Sequence, residues 1–475
     1  MDQILQPATR PLMEALFARQ QEAARADPVV SYAQRRDRLT RLETALTEAA
    51  PALIEAMSAD FSYRPAAESE LFDITMSLRE IRHAKRSLSR WMRTRRVRAP
   101  LYLMPARGRL MPQPRGVVGI VAPWNFPVYL AVAPVAAALA AGNRAMLKPS
   151  ELTPRTAAAL EEALAQEFAP EELCVVQGGP EAAAAFTTLP FDHLLYTGST
   201  PVGRKVAEAA ARNLTPVTLE LGGKSPAVIT PSADLDRAAR RIAWGKGANA
   251  GQVCVAPDYV LVPRPMMEDL TAKLEAAFLA LYPEGAASPD FAAIITPRHR
   301  DRLRSLLHEA ETSGAQVIRL PSDSIPAKQH KFPPAIVVDP HPGLRIMQEE
   351  IFGPLLPVVP YDTAEEAMAF VTARDHPLAL YVFGRRQEEI APWLSGTRSG
   401  GVTVNDTVLH VAFDTLPFGG IGPSGQGAYH GEAGFETFSH MKPVMIQPRL
   451  NAGRLMEPPV TPRKRQMMKL LRRII

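Results

Sequence analysis

The chain has 475 residues, 46% of them hydrophobic and 22% charged, with a net charge of +5. That is material for two or three fully cored domains. The small basic excess is concentrated at residues 93–98 and in the last dozen positions, which argues against a nucleic-acid surface. Two cysteines, Cys174 and Cys254, cannot build a disulfide framework and point to a reducing, cytoplasmic setting. No Cys/His group has metal-ligand spacing, the N-terminus lacks a signal-peptide pattern, and no apolar run reaches membrane-spanning length.

Residues 1–92 read as helical. Leu39, Leu42, Leu46, Leu53, Ile54 and Met57 form one apolar stripe, and Leu71, Ile74, Leu78, Ile81, Leu88 and Trp91 a second. Residues 93–112 break the pattern and read as a linker or an extended arm. From Gly116 strands alternate with helices. Strands are expected at 117–121, 145–148, 173–176, 193–197 and 217–221, with helices at 128–141, 156–168 and 201–213. This is the pattern of an α/β fold with a parallel sheet, whose ligands sit at the carboxyl ends of the strands. A second α/β region starts near Gly222, with strands at 227–229, 259–262, 335–338, 356–360, 379–383 and 401–405. Helices at 266–281, 297–313 and 364–373 lie between them. A glycine-dense loop covers 417–425. Residues 463–475 alternate basic and apolar side chains and suit an amphipathic helix.

Several windows fall where such a fold places chemistry. Asn125, in Pro123-Trp124-Asn125-Phe126-Pro127, follows the first strand; its amide suits an oxyanion, and a plain turn asparagine is the alternative. Lys148-Pro149-Ser150-Glu151 closes the second strand and suits ribose hydroxyls or a solvated loop. In Thr197-Gly198-Ser199-Thr200-Pro201-Val202-Gly203, Thr200 can cap a helix and Pro201 start it, so that free amides and the dipole favour a phosphate. Glu220 stands between Leu219 and Leu221 at a buried strand end. It reads as a general base with a raised pKa, or as the partner of Lys224 in a salt bridge. Cys254 follows the small residues Gly247-Ala248-Asn249-Ala250-Gly251-Gln252-Val253, which leave a thiol accessible; a buried, inert thiol is the alternative. Glu350 and Phe352 lie in Glu349-Glu350-Ile351-Phe352-Gly353-Pro354, a candidate ribose contact or an ordinary turn.

In this order the windows resemble the aldehyde dehydrogenase superfamily over residues 95–445. Residues 401–406, 427–431 and 248–259 resemble its class 3 branch, most of all the bacterial coniferyl-aldehyde dehydrogenases. The resemblance implies an α/β fold with a Rossmann-like cofactor domain over 1–221, interrupted by an arm at 103–115. A catalytic domain over 222–420, a return and oligomerisation arm over 421–447, and a basic tail over 448–475 complete it. It implies NAD(P)-dependent oxidation of a hydrophobic aldehyde to the acid. Cys254 would attack the carbonyl, Asn125 and the Cys254 N–H would hold the oxyanion, and Glu220 would activate the water that hydrolyses the thioester. Trp124, Lys148, Ser150, Glu151, Gly198, Ser199, Glu350 and Phe352 would bind the cofactor. Glu151 favours NAD, with NADP tolerated in the branch. Val253 makes the approach to Cys254 apolar, and Cys174 is expected to be inert. The expected partners are a small aldehyde and a second copy in a homodimer, with no metal and no nucleic acid. For the tail a solvated or subunit-packing helix is preferred to contact with anionic lipid. Two rival readings are a catalytically silent relative and an acylating enzyme that uses coenzyme A.

Overall fold

A computed structural model describes residues 9–321, 325–326, 328–449 and 457–474. Its first sheet runs Gly425–Gln426, Val217–Glu220, His193–Thr197, Val117–Val121, Arg144–Lys148, Leu173–Val175. All neighbours are parallel except the first pair. The chain leaves Val117–Val121 toward Arg144–Lys148 on one side and later returns to His193–Thr197 on the other. The order therefore reverses beside Val121 and Thr197, and a crevice opens at the carboxyl ends of these strands.

The two-residue period of the strands divides the core. Val117, Val121, Met146 and Leu194 pack with Met13, Phe17 and Phe186. Val118, Ile120, Ala145, Leu147 and Leu195 face the opposite way, into the larger cluster around the buried helix Tyr129–Ala140. Leu219 and Leu221 belong to the first set. Glu220, between them, is thus turned to the other face. The leucines flank it in sequence without enclosing its carboxylate.

The N-terminal stripes become the 29-residue helix Tyr32–Asp60, opened by a Ser31–Gln34 capping box, and the helix Met76–Trp91. Leu39, Leu46, Leu53 and Met57 are buried, each stabilising the fold by about 1.5–3 kcal/mol. Leu71 departs from its expected stripe and is 51% exposed. A π-helical turn, Glu70–Thr75, adds a residue there and rotates the face, so Asp73 points inward in place of Leu71, beside Ile74, which is buried as expected. Asp73 pairs with the buried Arg64 at 2.9 Å and accepts the Val128 and Tyr129 N–H groups, both at 3.0 Å. It thereby caps the helix that follows Asn125.

The second sheet runs Gln316–Arg319, Ala335–Val338, Leu355–Tyr361, Tyr259–Pro263, Pro226–Ile229, Ala379–Phe383, Gly401–Val404, parallel except for its first pair. The segment read as linker or arm is extended. Arg95–Val97 and Arg107–Pro114 form a small antiparallel sheet with Ser439–Ile446, whose register runs from Ser439 opposite Pro114 to Ile446 opposite Arg107.

Candidate active site

Cys254 is reached through an unusual backbone. The helix Leu235–Gly247, capped by Asp234, delivers the chain to Ala248–Gly251. There Asn249 (φ 47°), Ala250 (φ 52°) and Gly251 (φ 73°) are all left-handed. Such conformers cost free energy in non-glycine residues and persist only where neighbours hold them. The Asn249 N–H donates to Glu68 Oε1 at 2.6 Å, and its side-chain amide donates to the carbonyls of Asn125 (3.0 Å) and Gln252 (3.2 Å). The Gln252 side chain donates to the carbonyls of Asn249 and Ala293 and accepts from the Ile295 N–H. At Gly251 a Cβ would lie 2.4 Å from the Gly353 carbonyl oxygen, so only glycine fits.

A cleft with a free volume of about 1000 Å³, open solvent included, brings together Trp124, Asn125, Gly198, Ser199, Glu220, Cys254, Glu350 and Phe352. Asn125 is buried, and its Nδ2 donates to the Gln252 carbonyl at 3.1 Å. An amide nitrogen carries two hydrogens, so one is left for a ligand. Burial pushes the Cys254 thiol up to about 12, with the Glu350 and Glu220 charges adding to the shift. Glu220 is 2% exposed and neither carboxylate oxygen has a partner. Burial alone holds its pKa well above the usual carboxylate range.

The salt-bridge alternative for Glu220 is ruled out. Lys224 instead bonds Asp258 and donates to the Ile346 and Glu349 carbonyls at 2.8 Å. Asp258 accepts the Ile351 N–H at 3.0 Å, and Arg302 Nη1 donates to the Ile351 carbonyl at 3.0 Å, so this cluster fixes the turn that carries Glu350. Burial, then Asp258, pushes Glu350 up to about 8, against a hydrogen bond from the Gly223 N–H. A Cβ on Gly222 would lie 2.0 Å from Glu350 Oε2. The glycine pair thus makes the seat of this carboxylate.

At the other end, the helix Thr200–Ala211 points its N-terminus at the cleft. Thr200 is not its cap: Ser199 holds that position without a side-chain capping bond, and Thr200 Oγ1 donates to the Pro423 carbonyl at 3.1 Å. Pro201 does stand in the first turn. Trp124 meets Phe352 edge-on at 5.3 Å and His299 at 5.3 Å. Lys148, Ser150 and Glu151 do not line the cleft proper; Lys148 ends the neighbouring strand Arg144–Lys148, and Ser150 and Glu151 follow it. Lys148 is buried, its Nζ donating to the Pro149 carbonyl at 2.7 Å; burial lowers its pKa, and the exposed Glu151 opposes that shift only in part. Ser150 Oγ accepts the Leu152 N–H.

Sequence reasoning missed Glu68, Asp73, Asn249 and the pair Tyr129–His430. The Tyr129 hydroxyl and His430 Nε2 are 3.2 Å apart, and the Tyr429 hydroxyl lacks a partner in the cleft wall. Asn249 sat inside the quoted window and could have been found as its one polar side chain before Gln252. Glu68 lay in a stretch with no distinguishing spacing.

A strand-order reversal, an open helix N-terminus and paired carboxylates at one crevice fit a dinucleotide, whose pyrophosphate a helix N-terminus favours. A thiol, a free amide N–H and an unpartnered carboxylate fit addition to a carbonyl followed by attack of water. These features define an α/β oxidoreductase that uses a nicotinamide cofactor. More narrowly, the chain belongs to the aldehyde dehydrogenase family, which it matches over residues 5–444. It is 47% identical to a probable coniferyl aldehyde dehydrogenase of Pseudomonas aeruginosa, over 94% of this chain and 93% of that protein. It is 40% identical to aldehyde dehydrogenase family 3 member A2 of Mus musculus, over 92% and 88%. Among solved structures it is similar to a substrate-bound Staphylococcus aureus AldH, with a TM-score of 0.92, 35% identity and coverage of 97% and 99%. The protein is therefore an NAD(P)-dependent aldehyde oxidoreductase of the class 3-like branch. Among the described residues, no helix is long and apolar enough to cross a membrane.

Proposed function

We propose that the protein oxidises hydrophobic aldehydes, aromatic ones of the coniferyl type first among them, with Cys254 as nucleophile. The observation that carries this reading is the convergence of Cys254, Asn125 and the unpartnered Glu220 on one cleft. The Cys254 thiol gives up its proton to water in the cleft, and Sγ adds as the thiolate to the aldehyde carbon. The free N–H of the Asn125 amide and the backbone N–H of Cys254 hold the oxyanion that forms. When bound, the nicotinamide accepts the hydride lost from that carbon, and its positive ring favours the thiolate. Glu220 then takes a proton from water, which attacks the thioester and releases acid and thiol. The carboxylate's lack of any fixed partner supports water, rather than coenzyme A, as the acyl acceptor.

Ser199 and the first turn of Thr200–Ala211 take the pyrophosphate, with Gly198 allowing close approach. Lys148, Ser150 and Glu151 take the adenosine ribose. Glu350 takes the nicotinamide ribose, and Trp124 and Phe352 flank the nicotinamide end. Glu151 would repel a 2′-phosphate, so NAD is preferred over NADP. The relatives of similar length named for coniferyl aldehyde support the aromatic substrate. Leu130, Phe418 and Tyr429 in the cleft wall supply the apolar surface for it.

The domain reading assigns residues 1–221 to the cofactor, 222–420 to catalysis, 421–447 to a return and oligomerisation arm, and 448–475 to a tail. The edge strand Ser439–Ile446 offers unpaired backbone groups for a homodimer. The unpaired cysteines suit the cytoplasm. A kcat/KM survey over cinnamyl-type, benzaldehyde-type and aliphatic aldehydes, with each cofactor, tests this reading. It predicts the highest values for the aromatic propenals with NAD. Binding of NAD without oxidation of any aldehyde would favour a silent relative, and acyl-coenzyme A as sole product an acylating enzyme.

A further inference from the structure

The helix Pro462–Ile474 begins cleanly. Pro462 opens it, and Thr461 accepts the Arg465 N–H on its carbonyl (2.9 Å) and the Lys464 N–H on its hydroxyl (3.3 Å). Its sequence separates into two stripes. Met467, Leu470, Leu471 and Ile474 recur at spacings of three and four. So do Arg465, Lys469 and Arg472, which fall on the opposite side of the helical period, and Arg473 is a further cation in the sequence. Arg463 and Lys464 add two further cations in the first turn, and residues 458–475 contain no carboxylate. Apolar side chains that would normally seek a core are left outside one. Met467, Met468 and Leu470 are 40%, 41% and 59% exposed. At about 1.5 Å per residue the helix is about 20 Å long, too short to cross a hydrocarbon core.

We propose that this helix is a docking element for anionic lipid surfaces, lying in the plane of the headgroups with its Met/Leu/Ile stripe in the acyl boundary. The charge selects among occupants. A second copy of the same helix would set six cations against six. A nucleic-acid backbone would satisfy the cations and leave the apolar stripe in water. An anionic bilayer takes both faces at once, and the enzyme gains a position where hydrophobic aldehydes partition.

The test is co-sedimentation of the full chain with vesicles of phosphatidylcholine alone or mixed equally with phosphatidylglycerol. The expected result is binding to the mixed vesicles only, released by salt. The triple variant R465E/K469E/R472E should lower the partition coefficient at least tenfold, and Leu470→Ser with Met467→Ser should also lower it at least tenfold with every charge kept. Turnover of a water-soluble aldehyde should be unchanged in both variants, which shows that they are folded. The proposal is overturned if the native chain ignores the mixed vesicles at low salt, if both variants bind as well as the native chain, or if the variants change the oligomeric state and no vesicle binding is seen.

Discussion

Glu220 and Glu350 are two buried carboxylates with opposite surroundings. Glu220 has no hydrogen-bond partner for either oxygen, whereas Glu350 has the Gly223 N–H and lies within reach of Lys224 and Arg302. The first is thereby a strong proton acceptor whenever it is ionised, and the second a fixed hydrogen-bond acceptor. Replacing Glu220 by Gln should leave acylation intact and slow acid release by about 10²–10⁴-fold, the range of a lost general base. Stopped-flow NADH absorbance would then show a burst followed by almost no steady state. Asn125→Ala should slow the burst itself, by about 10²–10³, as removal of an oxyanion donor does. Glu350 also makes a pH prediction. Its folded pKa, about 8, lies above the ordinary 4.5, so the native state holds the extra proton between those values. Its contribution to stability is complete below the lower value and is lost as pH rises through the upper one. Glu350→Gln should therefore flatten the fall in Tm of the cofactor-free protein between about pH 4.5 and 8. An unchanged slope would mean that other groups dominate it.

At the scale of elements, the site depends on segments far from it in sequence. Glu68 and Asp73 come from the N-terminal helical region, yet one holds the Asn249 N–H and the other caps the helix beyond Asn125. Gly251→Ala would combine a left-handed φ with a 2.4 Å approach to a backbone oxygen. It should cost several kcal/mol, measured by urea unfolding, and abolish Cys254 labelling by iodoacetamide at the native rate. Asp73→Ala strands the fully buried Arg64 and should cost about 3–5 kcal/mol. The sequence made most strand and helix positions readable, because a two-residue or 3.6-residue apolar period records which face is buried, whereas the strand order came only from the fold. It also marked Asn125, Glu220 and Cys254 as candidates, since each follows a strand or a pliable loop, and the fold gathers all three in one cleft. Leu71, Thr200 and the partner of Lys224 were misread or left open for one reason. A π-turn, a shifted cap and a pairing to Asp258, 34 residues away, are settled by tertiary contacts that no local spacing records.

For the whole molecule, segments of the two large sheets line one cleft, and the small sheet ties Arg107–Pro114 to Ser439–Ile446 across most of the chain. The cleft is lined from both sheets' segments, with Gly198, Ser199 and Glu220 from the first and Cys254 and Glu350 from the second, so a ligand held there is expected to stabilise both. Saturating NAD should raise Tm as a ligand-linkage effect, and Glu151→Ser should narrow the gap between the NAD and NADP shifts. The most direct test of the account uses the Glu220→Gln protein mixed with an aromatic aldehyde and NAD, then digested and weighed by mass spectrometry. The account predicts one equivalent of NADH and an acyl mass added to the peptide that contains Cys254. An acyl group on another residue, or undiminished acid formation with no adduct, would contradict it.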